Sequence, residues 1–414
     1  MNPLTILRRT LAADPHELTT RLAQARFVSA NRRAARSGRS AFPAGAHLVS
    51  LGESRETLRR WFACRKHRWF LDPDRCERIV ELYDNRDQER SLILRRADLV
   101  VNGKMPIFSH EPVEFIGPER WRRDHILGVT APQVFYGNIE YLNAAQVGDS
   151  KNVWEPNRFG WVYWLGQASV ITGEPVYAET LRALLLDWRA QNPYPLGVNY
   201  CSALELAFRA YALVWALDFF ADLFARNAEL LDAALEIIWV SCSHIERLLS
   251  YYFAPNTHLT GEAFALFACG AALPEFAESA SWRSLGMEIL SAEAGKQFHE
   301  DGTHRELSTC YHLYSTDFYL HAALIARHTG FAAPVQIEHT ARLLAERMAE
   351  LAPEDLHLPQ INDCDGGRLS WFAFHPLDTA PALFAAQELW DDFALPATDR
   401  HAAGYALWMT DLLA

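Results

Sequence analysis

From about residue 155 onward, apolar residues recur at helical spacing in one segment after another, and short Pro/Gly/Asn turns separate the segments. The spacing predicts helices over roughly 157–172, 176–191, 199–223, 227–251, 257–272, 282–298, 305–329, 334–351, 377–390 and 402–414. The turns between them are chemically explicit: Thr172-Gly173-Glu174-Pro175, Asn192-Pro193-Tyr194-Pro195, Ala254-Pro255-Asn256 and His328-Thr329-Gly330. Strand-like alternation is nearly absent. Short connections make neighbouring helices antiparallel. Several segments are apolar on more than one face, as in LVWALDFFADLF over 213–224, so they need cover on two sides. A curved double layer of helix hairpins supplies that cover. The predicted fold class is therefore all-α: an incomplete α/α toroid of antiparallel helix hairpins with an N-terminal helical extension.

Residues 1–100 read as that extension, with a linker near 34–45 that is rich in Gly, Ser, Arg and Pro. Residues 101–414 read as the toroid, after an irregular stretch to about 150 marked by Pro106, Pro112, Gly117, Pro118 and Pro132. The chain stops within an apolar segment, Ala406 to Ala414, and the expectation from this is a protein that originally continued further.

Composition narrows the partners. A net charge of -12 argues against nucleic acid, although the arginine clusters Arg32-Arg33 and Arg120-Trp121-Arg122-Arg123 leave room for an acidic polysaccharide. Aromatics make up 12% of the chain; most of them are expected in the core, and Trp and Tyr near loops also suit stacking on flat sugar faces. No segment has the apolar length of a membrane span. The N-terminus lacks an apolar signal core and reaches Arg8 and Arg9 early, so the chain reads as cytoplasmic, or periplasmic if a leader was removed. Seven scattered cysteines without a C-x-x-C pair read as mostly unbridged, buried thiols.

Four segments concentrate polar residues at helix starts or loops: GDSKNVWEPNR over 148–158, GVNYCSALE over 197–205 with Arg209 a turn later, PNTHLTGE over 255–262, and EDGTHRELSTCYH over 300–312. A fifth, NDCDGGR, follows at 362–368. Each has an ordinary structural explanation. Asn256 or Thr257 can cap a helix, Glu205 and Arg209 can form an i, i+4 ion pair, and Tyr311 can be a core tyrosine. In a toroid, however, alternate helix starts gather at one end, where all four segments can face one cleft. His258 and Glu262 lack the second histidine of a metalloprotease helix, and Asp363 and Asp365 lack the other ligands of a calcium loop. No metal and no cofactor is expected.

These segments, in this order, resemble the heparinase II/III family, whose members are polysaccharide lyases acting on uronate-containing chains. The resemblance covers about 155–414. It implies an α/α toroid followed by a β-sandwich, the latter expected to be missing here together with a second catalytic histidine that it carries. It also implies β-elimination on an acidic (uronate) polysaccharide or oligosaccharide. In that reaction a proton leaves C5 of the uronate and the bond to O4 breaks, which requires neutralising the adjacent carboxylate. By the resemblance, His258 with Asn256 neutralises that carboxylate and Tyr311 transfers the proton. Glu205, Arg209, Asn157, Arg158, Asn199, Tyr200 and His312 are the expected substrate-binding residues. The sequence departs from the family at Thr257, where many active members carry Asn. Two other readings stand beside the lyase: an inverting glycoside hydrolase using two of Glu155, Glu205, Asp363 and Asp365, and a non-catalytic polysaccharide-binding helical domain.

Overall fold

Helices that are apolar all round need neighbours on every side, and the chain provides them in two layers. The computed structural model describes residues 15–65, 69–108, 110–352, 355–364, 366–372, 375–394 and 406–410. The first helices are α1 (Pro15–Arg36), α2 (Ala46–Leu51), α3 (Leu58–Ala63), α4 (Pro73–Tyr83) and α5 (Asp87–Val101). A two-stranded antiparallel ribbon, Lys104–Met105 with Val113–Glu114, follows. Then come the short α6 (Ala144–Val147) and α7 (Ser150–Asn157). The main succession is α8 (Trp161–Thr172), α9 (Pro175–Gln191), α10 (Ala203–Phe219), α11 (Ala221–Arg226), α12 (Ala228–Leu248), α13 (Thr257–Ala272) and α14 (Ser279–Gln297). It continues with α15 (Thr309–Thr329), α16 (Val335–Leu351), α17 (Ala380–Leu389) and α18 (Ala406–Met409).

The inner layer runs α8, α10, α13, α15, α17, each helix packed on the next. The hairpin partners α9, α12, α14 and α16 lie outside, with α9 against α12 and α14 against α16. This arrangement is the expected α/α toroid. It explains the residue patterns directly: α10 is buried from Leu204 to Leu217 and α13 from Leu259 to Ala272, because each has ring neighbours on two sides and an outer helix behind. In α16 the buried positions Ile337, Ala341, Leu344, Ala345 and Met348 instead form one stripe. Helices α13 and α14 approach each other closely. A methyl group at Gly286 would collide with the backbone of Ala263 and Phe267, and one at Gly270 would press on the Ser279 carbonyl.

The first hundred residues share this core. Helices α4 and α5 pack on α8, and α1, α2 and α3 cover α12, which is why α12 is buried on more than its ring-facing side. The 34–45 stretch leaves α1 through a turn that places Phe42 against Tyr194 and Trp239. Asp218, in α10, accepts hydrogen bonds from three consecutive backbone amides, Trp69, Phe70 and Leu71. At the other end of the sequence, Trp408 packs on Phe219, Phe372 and Tyr83, and its carbonyl accepts from the Arg75 guanidinium. The last described helix thereby meets α4 and the end of α10.

Two helix expectations need correction. The segment 199–223 is broken: Val198–Tyr200 is a 3₁₀ turn, α10 starts after Ser202, and the helix is interrupted at Phe220 before α11. The segment 148–158 contains a helix of its own, α7, capped by Asp149. Of 402–414, only 406–410 lies within the described residues, and Asp365 lies outside them.

Candidate active site

The four polar segments converge on one cleft of about 310 Å³ at an end of the helical layers. From α7 and the turn after it come Ser150, Lys151, Trp154 and Arg158, and from α10 come Leu204, Glu205 and Phe208. The start of α13 supplies Asn256, Thr257 and His258, while Glu306, Tyr311 and Tyr314 come from the entry to α15 and its first turns. Tyr141, Leu142 and Phe253 complete the walls. Leu142 and Phe253 are 86% and 77% exposed, so two large apolar side chains stand in solvent at the rim. A second lobe of about 180 Å³ shares Tyr141, Trp154, Phe253 and His258 with the first and reaches Arg21 and Gln24 of α1. His258 stands on the wall common to both lobes.

Helix starts dictate this convergence, because a residue just before or within the first turn points its polar groups off the end of its helix. At α13, Asn256 Oδ1 accepts the His258 amide, so Asn256 is the N-cap, and its Nδ2 donates to Glu306 Oε2 at 3.1 Å. The Thr257 hydroxyl donates to Glu306 Oε1 at 2.7 Å. Behind Thr257, the His304 ring lies 3.4 Å from its hydroxyl through Nε2, and Nδ1 accepts the Glu306 amide. Burial pushes His304 down to about 4, so the ring is neutral at pH 7. With Nδ1 accepting, the proton sits on Nε2, and the hydrogen bonds run His304 to Thr257 to Glu306. Glu306 therefore clamps the two residues that precede His258.

On the floor, Arg158 makes a two-pronged ion pair with Glu205, at 2.7 and 3.0 Å, and a third contact with Glu155 at 3.2 Å. Its guanidinium also lies 5.0 Å over the Phe208 ring. All three charged groups are buried. A buried charge set of this kind persists only when paired, and here one cation holds two carboxylates. Tyr311 is half-buried, and its hydroxyl donates to Asp363 Oδ2 at 2.6 Å. Among the described residues, no group of three or more His, Cys, Asp or Glu side chains is placed to hold a metal ion. No helix among them is long and apolar enough to cross a membrane.

Asn256, His258, Tyr311, Glu205 and Arg158 thus share the cleft. The other expected binding residues do not line it, and burial is the reason. Arg209 is fully buried, donating to the carbonyls of Asn157 and Asn199 with its guanidinium 4.7 Å over Trp188. It makes no ion pair with Glu205, whose partner is Arg158. Asn157 Nδ2 donates to the Trp121 and Val153 carbonyls, and its oxygen accepts from Trp188. Asn199 donates to Trp121 and Asn192. The Tyr200 hydroxyl donates to the Asn192 carbonyl, and its buried ring edges the second lobe. His312 faces outward, its Nε2 against the Leu344 carbonyl of α16. These residues hold the wall that the cleft is cut into. Sequence reasoning assigned no role to Glu306, Tyr141 or Phe253. Glu306 carried a usable signal, an acid five residues before Tyr311 in a loop of capping residues, whereas the rim aromatics lie in irregular segments without periodicity.

A helical double layer with a polar, aromatic-walled cleft at its helix starts is the architecture of an α/α toroid. The chain belongs to the heparinase II/III N-terminus family, whose model matches residues 129–374. It is similar to a heparin-sulfate lyase of Bacteroides stercoris, 28% identical over 220 residues that cover 48% of this chain and 33% of the relative. A heparin-sulfate lyase of Pedobacter heparinus is 26% identical over 247 residues, covering 56% of this chain and 36% of that one. The chain therefore spans about a third of these relatives' length. Among solved structures, the fold is similar to heparinase III, with a TM-score of 0.60 at 18% identity over 84% of this chain and 50% of that one. Heparan sulfate lyase HepC from Pedobacter heparinus gives a TM-score of 0.52, also at 18% identity, over 76% of this chain and 46% of that one.

Proposed function

We propose that this chain is a glycosaminoglycan lyase, or the α-helical part of one, that cleaves a uronate-containing chain by β-elimination. One observation carries the reading: four polar segments far apart in sequence bring His258 and Tyr311 into a single aromatic-walled cleft, in a chain of the heparinase II/III N-terminus family.

The chemistry follows from the side chains. Loss of the C5 proton leaves charge on the uronate carboxylate, so a donor must hold that group. His258, at the junction of the two lobes, takes this role. Asn256 contributes less than the resemblance implies, because its oxygen caps α13 and its amide is tied to Glu306. Thr257 is turned to Glu306 as well, so the clamp acts by fixing the backbone that carries His258. Tyr311 exchanges the proton with the sugar. Tyr141 and Phe253 offer faces for sugar rings, while Trp154, Arg158 and Glu205, all buried, form the floor.

Incubation of the full chain with heparan sulfate tests the reading through the ultraviolet absorbance of the C4=C5 double bond in the product. Tyr311→Phe is expected to lower turnover by about 10²-fold or more while leaving binding intact. New reducing ends without that absorbance overturn the lyase in favour of hydrolysis. The hydrolase reading has less support, since two of its acids, Glu155 and Glu205, are both engaged by Arg158. A binding-only domain is favoured by one specific observation, Thr257 standing where many active members carry Asn. Unchanged turnover in Tyr311→Phe removes that residue from the mechanism, and binding without any turnover in the parent chain selects the binding domain.

A further inference from the structure

Of the 362–368 motif only Asp363 has entered the site so far, as the acceptor of the Tyr311 hydroxyl, and it has been given no part in the reaction. The geometry points to Asp363 as the positioning residue for Tyr311 and as the acceptor of its phenolic proton during turnover, an inference that rests on the lyase reading above.

The loop that carries Asp363 is fastened to the start of α15 at each step. Thr309 Oγ1 donates to the Pro359 carbonyl and accepts the Ile361 amide, and the Thr309 amide donates to the Ile361 carbonyl. Asn362, with a φ of 58°, adopts the left-handed conformation that Asn tolerates better than most residues, and its Nδ2 donates to the Leu307 carbonyl. Ser308 Oγ then does two things: it accepts the Tyr311 amide, capping α15, and it donates to the Asp363 carbonyl at 2.6 Å. The hydroxyl that caps the Tyr311 helix is thus the same one that holds the Asp363 backbone. The 2.6 Å bond from the Tyr311 hydroxyl to Asp363 Oδ2 is the end of this sequence of contacts. Other ionisable groups at the cleft come from α7 (Lys151, Arg158), α10 (Glu205), the α13 start (His258) and the α15 entry (Glu306). Two of them are already committed, Arg158 to Glu205, and Glu306 is held by Asn256 and Thr257.

A neutral phenol that donates to a carboxylate can accept a proton only if it passes its own on. In the proposed step the C5–H bond breaks, its proton goes to Tyr311 Oη, and the phenolic proton moves to Asp363 Oδ2. The C5–H electron pair becomes the C4=C5 bond as the C4–O4 bond breaks. The departing O4 then takes a proton from Tyr311, which regains one from Asp363. The enzyme ends as it began, and no other reactant is consumed.

The decisive variant is Asp363→Asn in the full chain. Its amide oxygen can accept the same hydrogen bond but is a poor proton acceptor, so a purely structural role predicts near-normal turnover. The relay predicts a fall in kcat of about 10²-fold with KM little changed, and Asp363→Glu recovering part of the loss. Asp363 is exposed, so neither change threatens the core. Unaltered kcat in Asp363→Asn, or an increase in KM alone, overturns the proposal. A second measurement does not depend on activity. The Tyr311 Cζ NMR resonance, assigned with Tyr311→Phe, is expected to move when Asp363 becomes Asn, and an unmoved resonance overturns the pairing. If the parent chain fails to turn over heparan sulfate while that resonance moves, the lyase reading falls and the Tyr311–Asp363 coupling stands.

Discussion

Glu262 lies one helical turn after His258 on α13 and is completely buried. Burial pushes its carboxyl up to about 8, against the lowering effect of hydrogen bonds from the Ser250 hydroxyl and amide. The sign of the consequence is fixed. A carboxyl whose folded pKa exceeds its unfolded value contributes fully when both states are protonated, and that contribution is lost as pH rises from its ordinary 4.5 through about 8. Glu262→Gln has no such proton to lose. The difference in melting temperature between variant and parent is therefore expected to shift in the variant's favour across that pH interval, as calorimetry at a series of pH values will read. A constant difference would mean that Glu262 is ionised throughout. Residues of this kind show how far sequence reading reaches. That His258 and Tyr311 stand at helix starts beside one cleft was legible from the capping residues around them, whereas the roles proposed for them come from the family resemblance. The burial of Asn157, Asn199, Arg209 and His312 was not legible, since a polar side chain satisfied by distant carbonyls looks the same in sequence as one that faces a ligand. The Arg158–Glu205 pair replaced the Glu205–Arg209 pair suggested by i, i+4 spacing, because the third dimension offered a better geometry.

At the scale of helices, boundaries were legible to within a few residues where Gly, Pro or Asn ends the pattern, as at Gly173 and Gly330, both in the left-handed conformation. The interruption at Phe220 was missed because apolar periodicity continues straight through it. Closeness of approach between helices was likewise hidden. Gly286 is the clearest case. Its missing side chain lets α14 lie against the backbone of α13, and the atoms a methyl would strike are backbone, which cannot rotate aside. Gly286→Ala is expected to lower unfolding free energy by about 1–3 kcal/mol in denaturant titration, despite the better helix propensity of Ala. Because α13 carries His258, the same substitution should also loosen the cleft. A more stable variant would show that the two helices slide apart at little cost.

For the whole molecule, the last described helix is held by contacts between parts of the chain that sequence reading could not relate. Trp408 is fully buried and covers Tyr83, Phe219 and Phe372 at once. Trp408→Ala removes one of the largest buried side chains and leaves a cavity where α18 meets α4 and the end of α10. A loss of about 3–5 kcal/mol is expected on chemical denaturation. An unaffected midpoint would mean that the layers hold without this contact. The fold class itself was legible from helix spacing and two-sided apolarity, whereas this join was not.

The join also sets a timetable for synthesis. Arg75 and the Trp408 carbonyl that it grips are separated by 333 positions. A ribosome adding about 5–20 residues per second leaves α4 waiting on the order of tens of seconds for this contact. During that interval Tyr83 and Phe219 lack the indole that covers them in the finished protein, so the nascent chain offers chaperones an aromatic surface that closes only when Trp408 emerges.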